Sequence, residues 1–186
     1  MGKRKHLNQI ERLFEKSPVV SFDSIERIVQ SKRKSTYAKL LVLNLIRQGK
    51  IRTLTKGYYT KHADASLAVF GFQPAYIGLQ SALSLHGAWE QETVPIILTS
   101  KKTRVGIRQV LGSNALVRRI SPKHYFGQNL YQEGKFYLPS SDVEKTLIDF
   151  VVFKEKLSPE ALAEIRKRIN FKILKRYLQH YSPKIR

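Results

Sequence analysis

Three acidic side chains late in the sequence, Asp142, Glu144 and Asp149, could do chemistry because nucleases commonly cluster acids around Mg²⁺. However, Ser141-Asp142-Val143-Glu144 has the S-x-x-E spacing of a capping box, which gives Glu144 a structural role at the start of a helix. Asp149 lies five residues beyond Glu144 and so on a different face of that helix. We therefore predict no catalytic residue and no enzymatic activity.

The sequence also shows no residue pattern that is typical of a metal or cofactor site. Because cysteine is absent, disulfides, thiolate nucleophiles and cysteine metal sites are excluded. His86 follows a predicted helix, where an imidazole suits the helix dipole, and we expect it to be structural. The histidines are scattered, with neither an i, i+4 pair nor an H-x-E pattern; they are His6, His62, His86, His124 and His180. We expect neither a metal nor any other cofactor.

The chain is strongly basic, with 34 Lys and Arg against 14 Asp and Glu and a formal net charge of +20. Such a charge favours a polyanionic partner, and nucleic acid is the leading candidate. Hydrophobic residues make up 42% of the chain, as in a folded protein. No apolar run approaches the roughly 18 to 20 residues that span a bilayer, and no signal-peptide core follows the basic N-terminus. We expect a cytoplasmic, nucleoid-associated protein without a membrane partner.

The positive charge is concentrated in residues 1–62, which hold 15 basic and 4 acidic residues, a net charge of +11. Helical spacing of apolar residues from Leu7 onward predicts a first helix that ends at Ser17-Pro18. After a short extended piece, Asp23 or Ser24 is expected to cap a second helix. These two helices precede the basic connector of residues 31–34.

A third helix and a hairpin complete this region. Ser35 is expected to cap the helix and Gly49 to end it. Its buried stripe consists of Ala38, Leu41, Val42, Leu45 and Ile46. Two β-rich segments, residues 51–54 and 58–60, flank the turn Thr55-Lys56-Gly57. Three helices followed by a basic hairpin predict a winged helix-turn-helix, whose later helix enters the major groove of DNA.

Twelve residues are predicted to bind duplex DNA. Short polar groups at the start of the third helix suit base edges or phosphates, basic residues neutralise phosphates, and the wing touches the backbone or minor groove. A second basic segment, late in the chain, is expected to contribute. The residues are Lys32, Arg33, Lys34, Ser35, Thr36, Lys39, Arg52, Lys56, Tyr58, Lys101, Lys102 and Arg104.

The remainder predicts an α+β fold, with a linker at residues 63–74 and a small mixed α/β domain at 75–186. A buried helix is expected at residues 75–88, and strands at 94–99 and 115–120. A hairpin is expected from residues 129–131 and 135–138. The capping box then opens an apolar helix whose buried residues are predicted to be Leu147, Ile148, Val151 and Val152.

Four segments together resemble the AbiEi-type antitoxin and regulator family. Their order along the chain matches that family, over roughly residues 50 to 180. The segments are Gly57-Tyr58-Tyr59, Tyr76-Ile77-Gly78-Leu79-Gln80-Ser81-Ala82-Leu83-Ser84-Leu85-His86-Gly87, Asp142-Val143-Glu144-Lys145-Thr146-Leu147-Ile148-Asp149 and Asn170-Phe171-Lys172-Ile173-Leu174-Lys175-Arg176-Tyr177-Leu178.

The resemblance implies an N-terminal winged helix that binds operator repeats upstream of its own operon, and a C-terminal domain needed for antitoxin activity. It implies a nucleotidyltransferase-like toxin as functional partner, counteracted without a stable complex. A regulator acting alone is an alternative. So are a nucleic-acid-processing enzyme and an architectural or RNA-binding protein, for which +20 suffices without sequence specificity.

Overall fold

The computed structural model describes residues 2–29, 34–89, 93–183 and 185. The chain divides into two compact units, the first of Met1–Gly71 with Val110–Gly112 and the second of Phe72–Gln109 with Ser113–Arg186. Over the described residues, every helix is too short or too polar to cross a membrane. The expected α+β class is confirmed, because helices accompany two separate β-sheets.

The first unit contains three α-helices and a three-stranded sheet. In chain order they are α1 (Gly2–Lys16), β1 (Val20–Ser21), α2 (Phe22–Ile28), α3 (Lys34–Arg47), β2 (Arg52–Thr55) and β3 (Tyr58–Thr60). The helices pack their apolar faces together around Ile10, Ile25 and Leu45, each at most 2% exposed. Burial of these stripes is what favours helix in segments this short.

The starts of α2 and α3 differ from the sequence predictions. Ser21, rather than Asp23 or Ser24, caps α2, because its side-chain oxygen accepts a hydrogen bond from the Ser24 backbone N–H at 3.1 Å. Ser35 was predicted to cap α3, but the helix already includes Lys34. Ser35 therefore lies inside the first turn.

The end of α3 follows the prediction that Gly49 stops it. Gly49 has a φ of +67°, a conformation that glycine adopts without steric cost. Its N–H donates to the Ile46 carbonyl at 2.9 Å, and the Lys50 N–H donates to the Leu45 carbonyl at 3.0 Å. This pair of bonds is a Schellman motif, which satisfies carbonyls left open at the helix end.

The three strands are ordered β1-β3-β2, and every pair is antiparallel. Thr55 pairs with Tyr58 across the predicted turn, so Lys56 and Gly57 form the tip. Gly57 has a φ of +80°, which the tight turn requires. Leu54 is buried, and Tyr59 packs against the core of this unit. The two strands predicted on either side of this turn are therefore present.

The region predicted as a linker, residues 63–74, is folded over much of its length. Ala65–Phe72 forms a 3₁₀ helix in which Leu67, Ala68 and Val69 are fully buried. Asp64 supports its start, because one carboxylate oxygen accepts hydrogen bonds from the Ser66 N–H and hydroxyl. The division between the units falls after Gly71. The apolar run that suggested a connection is instead packed, since burying it removes it from water.

The second unit combines a six-stranded mixed sheet with four α-helices in its described part. The strands are β4 (Ala75–Ile77), β5 (Ile96–Thr99), β6 (Gly106–Val110), β7 (Ser113–Arg119), β8 (Gln128–Glu133) and β9 (Phe136–Ser141). Their order is β6-β7-β5-β4-β9-β8. The helices are α4 (Leu79–Leu85), α5 (Val143–Phe153), α6 (Pro159–Arg168) and α7 (Phe171–Leu178).

Residues 75–88 do not form the single helix that was predicted. Ala75–Ile77 is a central strand that pairs antiparallel with β5 and parallel with β9. The helix α4 begins only after Gly78. A buried strand and a buried helix segment are both continuously apolar, so the pattern could not separate them. The strand β6 was not predicted either.

The start of α5 also corrects a prediction. Asp142, rather than Ser141, is its N-cap, and its carboxylate accepts the Lys145 N–H at 2.7 Å. Glu144 does not complete a capping box, because its carboxylate accepts the Asn170 N–H at 2.6 Å. The buried face differs as well, since Val151 is 49% exposed. Lys145 and Asp149 take buried positions beside Ile148.

Candidate nucleic-acid interface

A long segment of the first unit lacks acidic residues altogether. Residues 27–63 contain ten basic residues and no Asp or Glu, and they include α3, β2 and β3. The four acids of residues 1–62 lie on α1 and α2 instead: Glu11, Glu15, Asp23 and Glu26. A segment with this excess of positive charge attracts phosphate.

One face of α3 is exposed along its length. Six exposed residues, spaced three or four apart, form a single stripe opposite the buried one. They are Thr36, Lys39, Leu40, Leu43, Asn44 and Arg47. The predicted contacts Thr36 and Lys39 belong to this stripe, whereas Ser35 is half-buried at its margin. Asn44 and Arg47 were missed, although their i+4 spacing from Leu40 and Leu43 would have placed them here.

Of the basic connector before α3, only Lys34 is among the described residues. Lys32 and Arg33, both predicted to contact phosphate, lie outside the described residues. Lys34 forms the first residue of α3. Its backbone thus stands at the helix start, where N–H groups carry partial positive charge.

The hairpin presents two of its three predicted contact residues to solvent. Arg52 and Lys56 are exposed, whereas Tyr58 is half-buried. Lys56 stands at the tip beside Gly57. Lys50, just before the hairpin, forms an ion pair with Glu11 of α1 at 2.8 Å. This contact is structural.

The second unit has a basic surface of its own. Residues 93–132 contain seven basic residues and no acidic one. Lys101, Lys102 and Arg104, predicted to contact DNA, are exposed between β5 and β6. Arg104 also lines an open groove of about 680 Å³ with Arg118 and Arg119. Arg118 is already engaged, since its guanidinium pairs with Glu155.

A buried polar cluster in the second unit escaped sequence reasoning. The Lys145 ammonium contacts the Asp149 carboxylate, and both side chains are fully buried. The Tyr76 hydroxyl donates to the other Asp149 oxygen at 2.8 Å. The ammonium lies 5.4 to 5.8 Å from the ring centroids of Tyr76, Phe126 and Tyr181. The helical spacing could have indicated this cluster, because positions 145 and 149 lie on the same face of the helix as the apolar Ile148.

Burial determines the protonation chemistry of this cluster. It raises the pKa of Asp149 and lowers the pKa of Lys145, and in each case the partner's charge opposes the change. Burial also raises the pKa of Asp142, which accepts a hydrogen bond from the Tyr177 hydroxyl at 2.8 Å. The cluster thus ties α5 to β4 and α7.

The three acids that suggested a nuclease all make hydrogen bonds or ion pairs with other groups of the protein. Asp142 caps α5, Glu144 accepts the Asn170 N–H, and Asp149 pairs with Lys145. Over the described part of the chain, no group of three His, Asp or Glu residues is arranged to hold a metal ion. His86 ends α4. Its Nε2 lies 2.8 Å from the Ser141 carbonyl oxygen, which as an acceptor requires the proton to be on Nε2.

Comparisons with known proteins add a fold relationship. No family model matches the chain, and no curated protein does. Among solved structures, the chain is similar to the crystal structure of the Rv2827c protein from Mycobacterium tuberculosis, with a TM-score of 0.58 and 15% sequence identity. That similarity covers 92% of this chain and 69% of the other. At this identity the likeness establishes a shared fold.

Proposed function

We propose that this protein is a sequence-specific, non-enzymatic regulator that binds duplex DNA, with its first unit acting as a winged helix. The observation that carries the proposal is the exposed stripe of α3, a helix face with polar and basic side chains inside an acid-free segment. A helix of this kind fits the major groove, which is about 12 Å wide in B-DNA. The order α1, α2, α3 and then a basic hairpin supports the same assignment.

Within this proposal the contacts divide by type. Thr36 in the first turn of α3 reads base edges. Lys39 adds positive charge beside it, and Arg47 adds positive charge at the other end of the helix. Arg52 and Lys56 hold phosphates from the hairpin. Lys101, Lys102 and Arg104 extend phosphate contact from the second unit.

The biological role that we propose is autorepression by an antitoxin of an AbiE-like system, in a nucleoid-associated protein. Its support is the ordered set of segments that resemble the AbiEi-type family, including Asp142 through Asp149. The functional partner would be a nucleotidyltransferase-like toxin, counteracted without a stable complex.

Two alanine variants test the division of labour. Selection from a random duplex library with the full chain should first enrich one sequence. Thr36→Ala should then weaken binding to that sequence more than to random duplex, since good base contacts carry about 1 to 3 kcal/mol of discrimination. Lys56→Ala should weaken both alike, because phosphate contacts carry no sequence information.

Lys172→Ala removes the same charge from α7 and serves as the matched control, with thermal melting to verify folding. Thr36 and Lys56 are both exposed, so folding should survive. If Thr36→Ala weakens both probes equally while Lys56→Ala alters sequence preference, α3 is not the reading element. Stronger binding to single-stranded RNA than to any duplex would instead favour an RNA-binding protein.

A further inference from the structure

Two leucines interrupt the polar face of α3. Leu40 is 56% exposed and Leu43 is 50% exposed. In the described part of the first unit, they are the only large hydrophobic side chains exposed in this way. Leaving two leucines in water forgoes the free energy of burying them. Their position on the exposed face of α3 therefore indicates which kind of partner covers them.

We infer that Leu40 and Leu43 contact the 5-methyl groups of thymines in the major groove. The inference rests on the proposed function and adds the base chemistry that α3 selects. Thymine is the only normal DNA base with a methyl group at this position, and apolar side chains are its usual contacts. Cytosine and uracil present hydrogen there.

The charge around the leucines favours DNA over a second protein surface of the same kind. Lys39 and Arg47 flank them on the exposed face, and no acid occurs from residue 27 to 63. Two copies meeting through this face would bring like charges together, which is costly. A duplex instead supplies phosphates for the cations and methyl groups for the leucines.

The spacing along the helix also fits. Leu40 and Leu43 are three residues apart, or about 4.5 Å along the axis at 1.5 Å per residue. Successive base pairs are separated by about 3.4 Å. The two side chains can thus meet neighbouring base pairs, while Thr36 meets a base one turn earlier.

Base analogues test the inference without changing the protein. The probe is the duplex enriched from a random library, in which each thymine is replaced singly by deoxyuridine. At one or two positions the loss of the methyl should weaken binding about fourfold, because a buried CH₂-sized group contributes about 0.8 kcal/mol and 1.4 kcal/mol is tenfold. At those positions, 5-methylcytosine paired with guanine should bind more tightly than cytosine paired with guanine, because only 5-methylcytosine carries the methyl group.

Leu40→Ala and Leu43→Ala should each bring the thymine-to-uracil affinity ratio toward one at its own position. Leu162→Ala, which truncates a leucine 45% exposed on α6, should leave every ratio unchanged. An enriched duplex that binds equally well with uracil throughout would overturn the inference and leave the proposed function standing. Failure to bind any duplex would instead overturn the proposed function. If Leu40→Ala turns a dimer into a monomer without DNA, the leucines are a contact between copies and the inference is wrong.

Discussion

Lys145 and Asp149 bring two opposite charges into the interior of the second unit with no exposure to solvent. Removing two ions from water costs several kcal/mol each, and only close pairing with further hydrogen bonds offsets that cost. Here the Tyr76 hydroxyl supplies one of these bonds, and three aromatic rings surround the ammonium. Each charge therefore depends on the other.

Lys145→Met should destabilise the folded chain by about 3 to 5 kcal/mol, because it leaves the Asp149 carboxylate buried without a counter-charge. The loss should be greater at pH 8 than at pH 5. Burial already raises the pKa of Asp149, and removing the ammonium raises it further. When the pKa of a carboxyl group is higher in the folded state than in the unfolded state, the folded state loses stability as pH rises from the lower pKa to the higher one. Urea unfolding at both pH values measures the effect.

The double variant Lys145→Met/Asp149→Asn should recover most of the lost stability, since the amide oxygen still accepts from Tyr76 and no buried charge remains. Lys156→Met, at an exposed lysine, is the matched control and should change little. Equal unfolding midpoints for the single and double variants would show that the carboxylate does not need the ammonium.

For single residues, the sequence predicted the exposed cations of the candidate interface but not the buried polar contacts. Exposed cations such as Lys39 and Lys56 could be predicted, because charge and helical spacing are local properties of the chain. The contact of Tyr76 with Asp149 joins residues 73 positions apart, so it depends on how strands and helices pack. The same holds for Glu144, whose partner Asn170 lies on another helix boundary.

Among the elements, α3 ends in a backbone conformation that favours glycine. A Cβ added at Gly49 would meet nothing within 4 Å, yet the residue has a φ of +67°. Gly49→Ala should therefore cost about 1 to 2 kcal/mol through the left-handed conformation alone. Gly49→Asn should cost less, because asparagine tolerates that conformation.

Urea unfolding of the full chain compares the two Gly49 variants, with Gln48→Ala as the neighbouring exposed control. Hydrogen exchange should also quicken at the Lys50 amide in Gly49→Ala, since its bond to the Leu45 carbonyl belongs to the motif that is strained. Equal stability of the alanine and asparagine variants would contradict this account.

Elements with strong local signals were predictable, and those defined by their neighbours were not. The stripe from Ala38 to Leu45 and the turn at Lys56-Gly57 are encoded within a few residues. The short strand Ala75–Ile77 is a strand because β5 and β9 lie on either side of it. At the sheet edge, β6 exposes the apolar Ile107, at 71%, and half-buries Arg108, so its sequence lacks the alternation of apolar and polar residues that indicates a half-buried strand.

For the whole molecule, the net charge of +20 should govern how binding responds to salt. Each phosphate neutralised releases counterions, and the logarithm of the affinity falls with the logarithm of salt by roughly 0.9 per contact. Six or more contacts predict a slope of about −5 or steeper for duplex DNA. Titrations of the full chain between low and physiological salt give this slope.

Lys56→Ala should make that slope shallower by about one unit, as expected for one lost phosphate contact. Glu15→Ala removes an exposed acid of α1 and should not make the slope shallower. A wild-type slope shallower than about −3 would show that few of the basic residues face the phosphates.

The topology of the two units also sets the order in which the growing chain can fold. The hydrophobic cluster that joins α1, α2 and α3 consists of residues at or before Tyr59, so this cluster needs only the first part of the chain to pack. The sheet of the second unit closes when β9 reaches β4, a pairing in which the Ser140 hydroxyl bonds the Ile77 carbonyl across 63 residues. At about 5 to 20 residues per second of translation, roughly 4 to 16 s separate the synthesis of Thr60 from that of Ser141. A ribosome-bound chain should therefore display its basic helices, already folded, before the second unit exists.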